Sequence, residues 1–228
     1  MEWMNLATEN GKKFDALLVR TDKENAPGIV LIQEIFGVND AMQTKAKQWA
    51  ALGYNVICPD LFWRQQERVQ LEPRTEFEQA LEFMHGMDND HVLADLELAR
   101  QTLSAQLGHD QIAAIGYCMG GRLVLQVAGQ AKVKAAVSYY GVGLEQLLPT
   151  LPEVTAPSLV YVAELDSYVP VEARNQIQQN VEQRNDWTYY LYEGCDHAFA
   201  RPKGEHYDSA ADALATERAV EFLKKHIG

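Results

Sequence analysis

The apolar positions of the chain fall into short continuous runs that alternate with longer amphipathic stretches. Runs of five or six apolar residues predict strands covered on both faces, because a strand with one wet face alternates apolar and polar residues. The predicted strands are 14–20, 28–33, 54–58, 111–115, 135–139, 158–163 and 187–192, the first of them an edge strand. The predicted helices are 40–52, 75–85, 88–107, 120–129, 171–183 and 208–227. Asp40 is the expected cap of the first helix and Gly108 closes the third, while residues 61–72 are ambiguous.

Strands that alternate with amphipathic helices form a mostly parallel sheet with helices on both faces. The 228 residues contain no repeat, low-complexity tract or linker, so we expect one α/β domain over residues 1–228. Ligand sites in such sheets lie beyond the carboxyl ends of the strands. The chemistry is therefore expected in four segments, 33–37, 116–121, 164–166 and 193–197.

Composition and charge exclude several classes of function. Twenty basic against 32 acidic residues give a net charge of −12, which disfavours nucleic acid and anionic membranes as partners. We expect no membrane span and no secretory signal, because no apolar run approaches the roughly 18–20 residues of a span. Three widely spaced cysteines argue against a disulfide scaffold or a structural zinc site and favour a reducing cytoplasm. We expect no metal and no organic cofactor, and a monomer or a weak homo-oligomer.

Residues 116–121 read GYCMGG, which is the pattern glycine, any residue, nucleophile, any residue, glycine between a strand and a helix. The glycines permit a sharp reversal that places the Cys118 sulfur at a helix N-terminus, where a thiolate and an oxyanion are favoured. The backbone N–H groups of Met119 and Ile35 are the expected oxyanion donors. A buried apolar cysteine and a phosphate-binding turn are the alternatives, although the turn lacks the Gly-Lys-Ser/Thr of a P-loop.

Two further residues turn this pattern into a catalytic hypothesis. Asp166 directly follows one predicted strand, and His197 follows the last. Nucleophile, acid and histidine is the chain order of the α/β-hydrolase triad. His197 is expected to pair with the Cys118 thiolate and to move protons, while Asp166 orients the imidazole. Cys195 is expected to be a packed residue, and Asp196 and the other histidines are expected to lie in loops or helices without a role at the site.

The chain resembles the dienelactone hydrolase family, whose members are small α/β-hydrolases with a cysteine nucleophile, of carboxymethylenebutenolidase type. The resemblance runs from about residue 14 to residue 227. The motifs that carry it are QEIFGVN at 33–39, CPDL at 58–61, GYCMGG at 116–121, YYGVG at 139–143 and HAFAR at 197–201.

The resemblance implies an esterase or lactonase that is activated by its substrate. It implies that Glu34 holds the resting thiol of Cys118 neutral, and that Arg201 pairs with Glu34 and receives a substrate carboxylate. Substrate binding then frees Glu34 to take the thiol proton. A purely structural Glu34–Arg201 ion pair is the alternative. Phe36 and Tyr140, within the same motifs, are candidate substrate-binding residues.

One segment departs from the family pattern. Phe77 and Leu81 stand where the family has a second carboxylate-binding arginine and a tyrosine. The expected function is therefore hydrolysis of an ester or enol-lactone bond in a small carboxylate-bearing substrate, with dienelactone itself in question. The alternatives are a general small-ester or thioester hydrolase with the same triad, and a non-enzymatic ligand-binding protein on a hydrolase fold.

Overall fold

A computed structural model describes residues 1–130, 132–152 and 155–228 of the chain. The chain divides into two units, Met1–Ile112 and Ala113–Gly228. The expectation of one domain over residues 1–228 is not tested by this division and stays a prediction. Within the described ranges, no helix has the length and apolar character that crossing a bilayer requires.

The first unit contains four strands and three helices. These are β1 (Glu2–Ala7), β2 (Lys13–Val19), β3 (Gly28–Ile32), α1 (Asp40–Ala51), β4 (Asn55–Pro59), α2 (Phe77–His85) and α3 (Asn89–Leu107). The strands lie in the order β1-β2-β4-β3; β2 is antiparallel to both β1 and β4, and β3 is parallel to β4. All five residues of β3 and of β4 are buried, and both α1 and α3 pack against β4.

The second unit contains the remaining strands and helices. These are β5 (Ile112–Tyr117), α4 (Met119–Gly129), β6 (Ala135–Tyr139), α5 (Leu144–Leu147), a 3₁₀ turn (Leu148–Thr150), β7 (Ser158–Ala163), α6 (Val171–Glu182), β8 (Trp187–Tyr192) and α7 (Ser209–Ile227). The strands are parallel in the order β5-β6-β7-β8. Fully buried β5, β6 and β7 explain the continuous apolar runs of the sequence.

The helix ends follow the capping signals of the sequence with one correction. Asp88 and Asp208 cap α3 and α7 through their side chains, and Gly108 ends α3 in the left-handed conformation with φ 73°. The start of α1 was expected to be capped by Asp40. The cap is Asn39 instead, whose side chain accepts a hydrogen bond from the Met42 N–H, so that Asp40 becomes the first helical residue.

The prediction of an edge strand at 14–20 is wrong, because β2 has a neighbour on each side. The first strand, β1, was missed because five of its six side chains are exposed or half-buried and only Leu6 is buried. Backbone pairing with β2, in register from Glu2 opposite Leu18 to Ala7 opposite Lys13, holds it in place. A strand held mainly by its backbone leaves little apolar pattern in the sequence.

The ambiguous residues 61–72 contain turns and an isolated bridge residue, and side chains anchor them to α3. The buried Asp95 of α3 accepts a hydrogen bond from the Trp63 indole at 2.9 Å and a two-pronged ion pair from Arg64. The Arg64 guanidinium also lies 4.2 Å from the centre of the Trp63 ring. Buried charge is costly unless it is paired, and here the pairing fixes the connection between β4 and α2.

A second buried carboxylate, Asp60, holds the same connection at the end that follows β4. Its Oδ1 accepts the Phe62 N–H at 3.0 Å and its Oδ2 accepts the Arg68 N–H at 2.6 Å. Burial raises the pKa of Asp60 to about 6; the two N–H groups act in the opposite direction, and the negative charges of Asp15 and Glu67 add to the increase.

The raised pKa of Asp60 predicts a pH-dependent cost to folding. The folded chain binds the Asp60 proton more tightly than the unfolded chain does, so protonation of Asp60 stabilises the fold. This contribution to the free energy of unfolding is full below the unfolded pKa of about 3.9 and is lost as pH rises through about 6. Asp60→Asn cannot titrate. We compare the free energy of unfolding of Asp60→Asn with that of the natural chain by urea denaturation. The difference, variant minus natural, should increase by about 2 kcal/mol between pH 4.5 and pH 7.5. Asp22→Asn, at an exposed position, should show no such change; parallel curves for Asp60→Asn would contradict the argument.

Candidate active site

The turn between β5 and α4 presents Cys118 in a strained conformation. Cys118 has φ 55° and ψ −115°, a region that residues other than glycine rarely adopt, and it stands at the N-cap of α4. A Cβ on Gly116 would lie 1.9 Å from the Gly120 carbonyl oxygen, and one on Gly121 would lie 2.7 Å from the Tyr139 oxygen. Glycine is therefore required at position 116, as the sequence pattern predicts, and also at position 121, one residue after the second glycine of that pattern.

In the second unit, His197 lies within hydrogen-bond distance of both other residues of the expected triad. His197 Nε2 is 3.2 Å from Cys118 Sγ, and His197 Nδ1 is 2.7 Å from Asp166 Oδ2. Asp166 Oδ1 accepts the Tyr168 N–H at 2.9 Å, so both of its oxygens are used. Asp166 and His197 follow the adjacent parallel strands β7 and β8, and this brings them together.

Burial and charge act in opposite directions on His197. Burial alone lowers the pKa of its imidazole, but the Cys118 sulfur and the Asp166 carboxylate together outweigh burial and raise the pKa to about 10. Both neighbours therefore favour the protonated form of the His197 imidazole.

Two aromatic rings pack edge-on against the His197 ring. The centre of the Tyr140 ring lies 5.3 Å from it and that of the Tyr168 ring lies 5.0 Å from it. Tyr140 is buried, with φ 39°, and Tyr168 is 52% exposed. The sequence singled out Tyr140 but missed Tyr168, whose only signal is its place two residues after Asp166.

The backbone of His197 is held by two side chains that were expected to have no part in the site. Asp196 Oδ1 accepts the His197 N–H at 2.6 Å. His206 Nδ1 lies 3.2 Å from the His197 carbonyl oxygen and 3.5 Å from Asp196 Oδ2. Nothing in the spacing of the sequence indicates His206, because eight residues of loop separate it from His197.

The remaining candidates lie where their strands and helices place them. Glu34, Ile35 and Phe36 follow β3 in the first unit, after Gln33, and are buried. Met119 is the first residue of α4, and Arg201, half-buried, closes a turn by donating its N–H to the Ala198 oxygen at 2.9 Å.

Two other sequence expectations concern packing. Cys195 is buried as expected, and burial raises the pKa of its thiol, with smaller contributions from Asp208 and Glu164. Phe77 lies at the start of α2, and its ring centre is 6.3 Å from that of Phe36.

Comparison with known proteins agrees with the resemblance seen in the motifs. The model of the dienelactone hydrolase family matches residues 14–227. The chain belongs to the dienelactone hydrolase family. It is therefore a hydrolase with the α/β-hydrolase fold, and the expected mostly parallel sheet is confirmed.

Named relatives of this dienelactone hydrolase family member extend over most of its length. It is 36% identical over 225 residues to a carboxymethylenebutenolidase from Pseudomonas putida, covering 97% of this chain and 95% of that one. It is 39% identical over 213 residues, 89% of each chain, to a protein from Azospirillum brasilense provisionally named as the same enzyme. A crystal structure from Klebsiella pneumoniae, provisionally titled a dienelactone hydrolase, matches with a TM-score of 0.85 at 22% identity over 99% of this chain and 98% of that one.

The turn at Cys118 predicts a sharp difference between two glycines. We expect Gly116→Ala to lower the free energy of unfolding by more than about 2 kcal/mol, because the added Cβ meets backbone that cannot move independently. Gly129→Ala at the end of α4 is the control: its Cβ would lie 3.1 Å from the tip of the flexible Leu151 side chain, and we expect a change of at most about 1 kcal/mol. Urea denaturation measures both, and equal losses would contradict a steric requirement at Gly116.

Proposed function

We propose that the chain hydrolyses an ester or enol-lactone bond in a small carboxylate-bearing substrate, through a thioester on Cys118. The observation that carries the proposal is the continuous contact from Cys118 Sγ to His197 Nε2 at 3.2 Å and from His197 Nδ1 to Asp166 Oδ2 at 2.7 Å. It supplies a nucleophile, a proton carrier and an orienting carboxylate in one buried group.

The reaction proceeds in two steps. The Cys118 thiolate attacks the substrate carbonyl carbon, and the oxygen that becomes negative is held by the N–H groups of Met119 and Ile35. His197 protonates the leaving alkoxide or enolate, and the acyl group stays on sulfur as a thioester. A water molecule then gives a proton to His197 and attacks the thioester, which releases the acid and restores the thiolate.

Substrate activation involves Glu34 and Arg201. Under the proposal, a substrate carboxylate binds Arg201 and releases Glu34, which then takes the proton of the Cys118 thiol. A carboxylate directly after a buried strand is costly unless it has a partner, which supports a paired role for Glu34.

The substrate class follows from the relatives and from one departure. The Pseudomonas putida relative is named a carboxymethylenebutenolidase, and this supports a lactone with a carboxylate. In this chain Phe77 contacts Phe36 where the family resemblance leads us to expect an arginine. An aromatic pair cannot bind a carboxylate, so the preference for anionic substrates should rest on Arg201.

The same aromatic contact favours a second candidate, a general small-ester or thioester hydrolase that uses the same triad. Phe36 and Phe77 would then accommodate an apolar part of a neutral substrate. A cytoplasmic location and a monomeric or weakly oligomeric state complete the proposal.

Replacing the nucleophile tests the chemistry directly. We expect Cys118→Ala to lower kcat/KM for lactones and activated esters by at least about 10³-fold, because the thioester cannot form. Cys195→Ala is the matched control, a second buried cysteine that should keep activity within about threefold. Far-ultraviolet circular dichroism checks that both variants fold. An active Cys118→Ala, or an inactive but folded Cys195→Ala, would refute the assignment.

Substrate charge separates the two candidate functions. We expect a carboxylate-bearing lactone or ester to exceed its matched methyl ester in kcat/KM by at least about tenfold, since a charge-assisted hydrogen bond contributes roughly 1.5–3 kcal/mol. Arg201→Met should remove most of this preference, and Lys203→Met, which removes an exposed cation two residues away, should retain it. A natural enzyme that prefers the neutral ester would instead be a general cysteine esterase.

A further inference from the structure

The Gln33 side chain connects the first residues after β3 to those after β4. Gln33 is fully buried. Its Oε1 accepts the Leu61 N–H at 3.1 Å, and its Nε2 donates to the Glu34 carbonyl oxygen at 3.3 Å. Burying an amide is costly unless its polar atoms are bonded. Here the amide uses both ends, one on each loop.

The Glu34 carbonyl belongs to the same peptide group as the Ile35 N–H. A trans peptide group is planar, and its C=O and N–H point in opposite directions. A bond that fixes the carbonyl oxygen therefore fixes the direction of the N–H as well. The position of the Glu34 carbonyl oxygen thus determines the direction of the Ile35 N–H, which is the proposed oxyanion donor.

The far end of the Gln33 amide is also fixed. Leu61 follows Asp60, and the backbone N–H of Asp60 donates to the backbone carbonyl oxygen of Asp15 at 2.9 Å. The Asp60 carboxylate accepts two further backbone N–H groups. Gln33 is thus anchored to backbone that is itself anchored, so its amide can orient the Glu34 carbonyl.

Other contacts hold the rest of the same loop. The Leu71 N–H donates to the Phe36 oxygen at 3.0 Å, and the Val38 N–H donates to the Val69 oxygen at 3.1 Å. A Cβ on Gly37, which has φ 74°, would lie 1.9 Å from that Val69 oxygen, so the two segments are in close backbone contact. These bonds hold the loop on either side of Gly37, whereas Gln33 alone among them acts on the peptide group of Ile35.

We propose that Gln33 is a positioning residue, which orients the Ile35 N–H toward the reacting carbonyl oxygen by hydrogen-bonding the Glu34 carbonyl. The inference rests on the proposed function, in which Ile35 is an oxyanion donor. Loss of a whole oxyanion donor typically costs about 10²–10³ in kcat. A misdirected donor should cost less, and we expect a loss of about 10- to 100-fold in kcat with KM changed by less than about threefold.

The decisive variant is Gln33→Glu, which keeps the shape and the acceptor for Leu61 but loses the donor to the Glu34 carbonyl when ionised. Protonation of the new carboxyl restores an O–H donor at that place. We therefore expect kcat of Gln33→Glu, divided by that of the natural enzyme, to be low at pH 8 and to rise as pH falls to 5.5. Gln33→Met, which has no donor at any pH, should keep a constant low ratio.

Two controls separate positioning from general damage. Alkylation of Cys118 by iodoacetamide requires the thiolate but no oxyanion donor, so its rate should stay within about twofold in both Gln33 variants. Gln43→Met removes an amide that donates to the Val38 oxygen of the same loop at 3.1 Å, and its kcat should stay within about twofold of the natural value.

Three results would overturn the inference. These are folded Gln33 variants with natural kcat, a parallel loss of turnover and alkylation, and a kcat loss in Gln43→Met as large as in Gln33→Met. If Gln33→Met does not fold, the pH dependence of the Gln33→Glu ratio decides alone, and a flat ratio counts against the inference. Failure of the proposed function is a separate result, since it appears as an active Cys118→Ala.

Discussion

The reversal of the chain at Cys118 is the constraint on which the candidate site depends. One residue separates the end of β5 from the start of α4, and that residue takes a conformation costing of order 1–3 kcal/mol. The surroundings compensate for this strain. The Cys118 N–H donates to the Tyr139 oxygen at 3.0 Å, and glycines at 116 and 121 remove the side chains that would block the approach. The strain places the sulfur at a helix N-terminus, where negative charge is stabilised.

A second regularity concerns the polar residues that follow the buried strands. Gln33, Asp60 and Asp166 are all buried, and in each case both side-chain polar atoms make hydrogen bonds to neighbouring groups. Such groups are costly in isolation and rigid once satisfied. They therefore act as fixed points beyond the strand ends.

The sequence predicts the parts of this molecule that depend on local pattern. The strands Ala135–Tyr139, Ser158–Ala163 and Trp187–Tyr192 have the bounds expected from their apolar runs. The order of Cys118, Asp166 and His197 along the chain anticipates their contact because parallel strands bring their carboxyl ends to one edge. Roles for these residues remain proposals, but their proximity follows from topology alone.

What the sequence misses depends on contacts between distant segments. The first strand is held by backbone pairing with β2, which leaves no apolar signature. His206 reaches the His197 carbonyl and Tyr168 reaches its ring through loop conformations that no spacing encodes. Asn39 rather than Asp40 caps α1 because an N-cap residue precedes the first helical turn, and two adjacent polar residues satisfy the pattern equally well.

The residues proposed for chemistry lie beyond the ends of sheet strands, whereas Phe77, at the position considered for substrate recognition, lies at the start of a helix. Cys118 directly follows β5, Asp166 lies three residues after the end of β7, and His197 lies five residues after the end of β8, so that the ends of the sheet strands determine where they stand. Phe77 begins α2, beyond a connection held by side-chain anchors, and it reaches Phe36 through ring contact. A change at Phe77 therefore alters a half-buried helix end and leaves the strand ends undisturbed. This separation would allow the residue at the start of α2 to change while the contacts among Cys118, Asp166 and His197 stay the same.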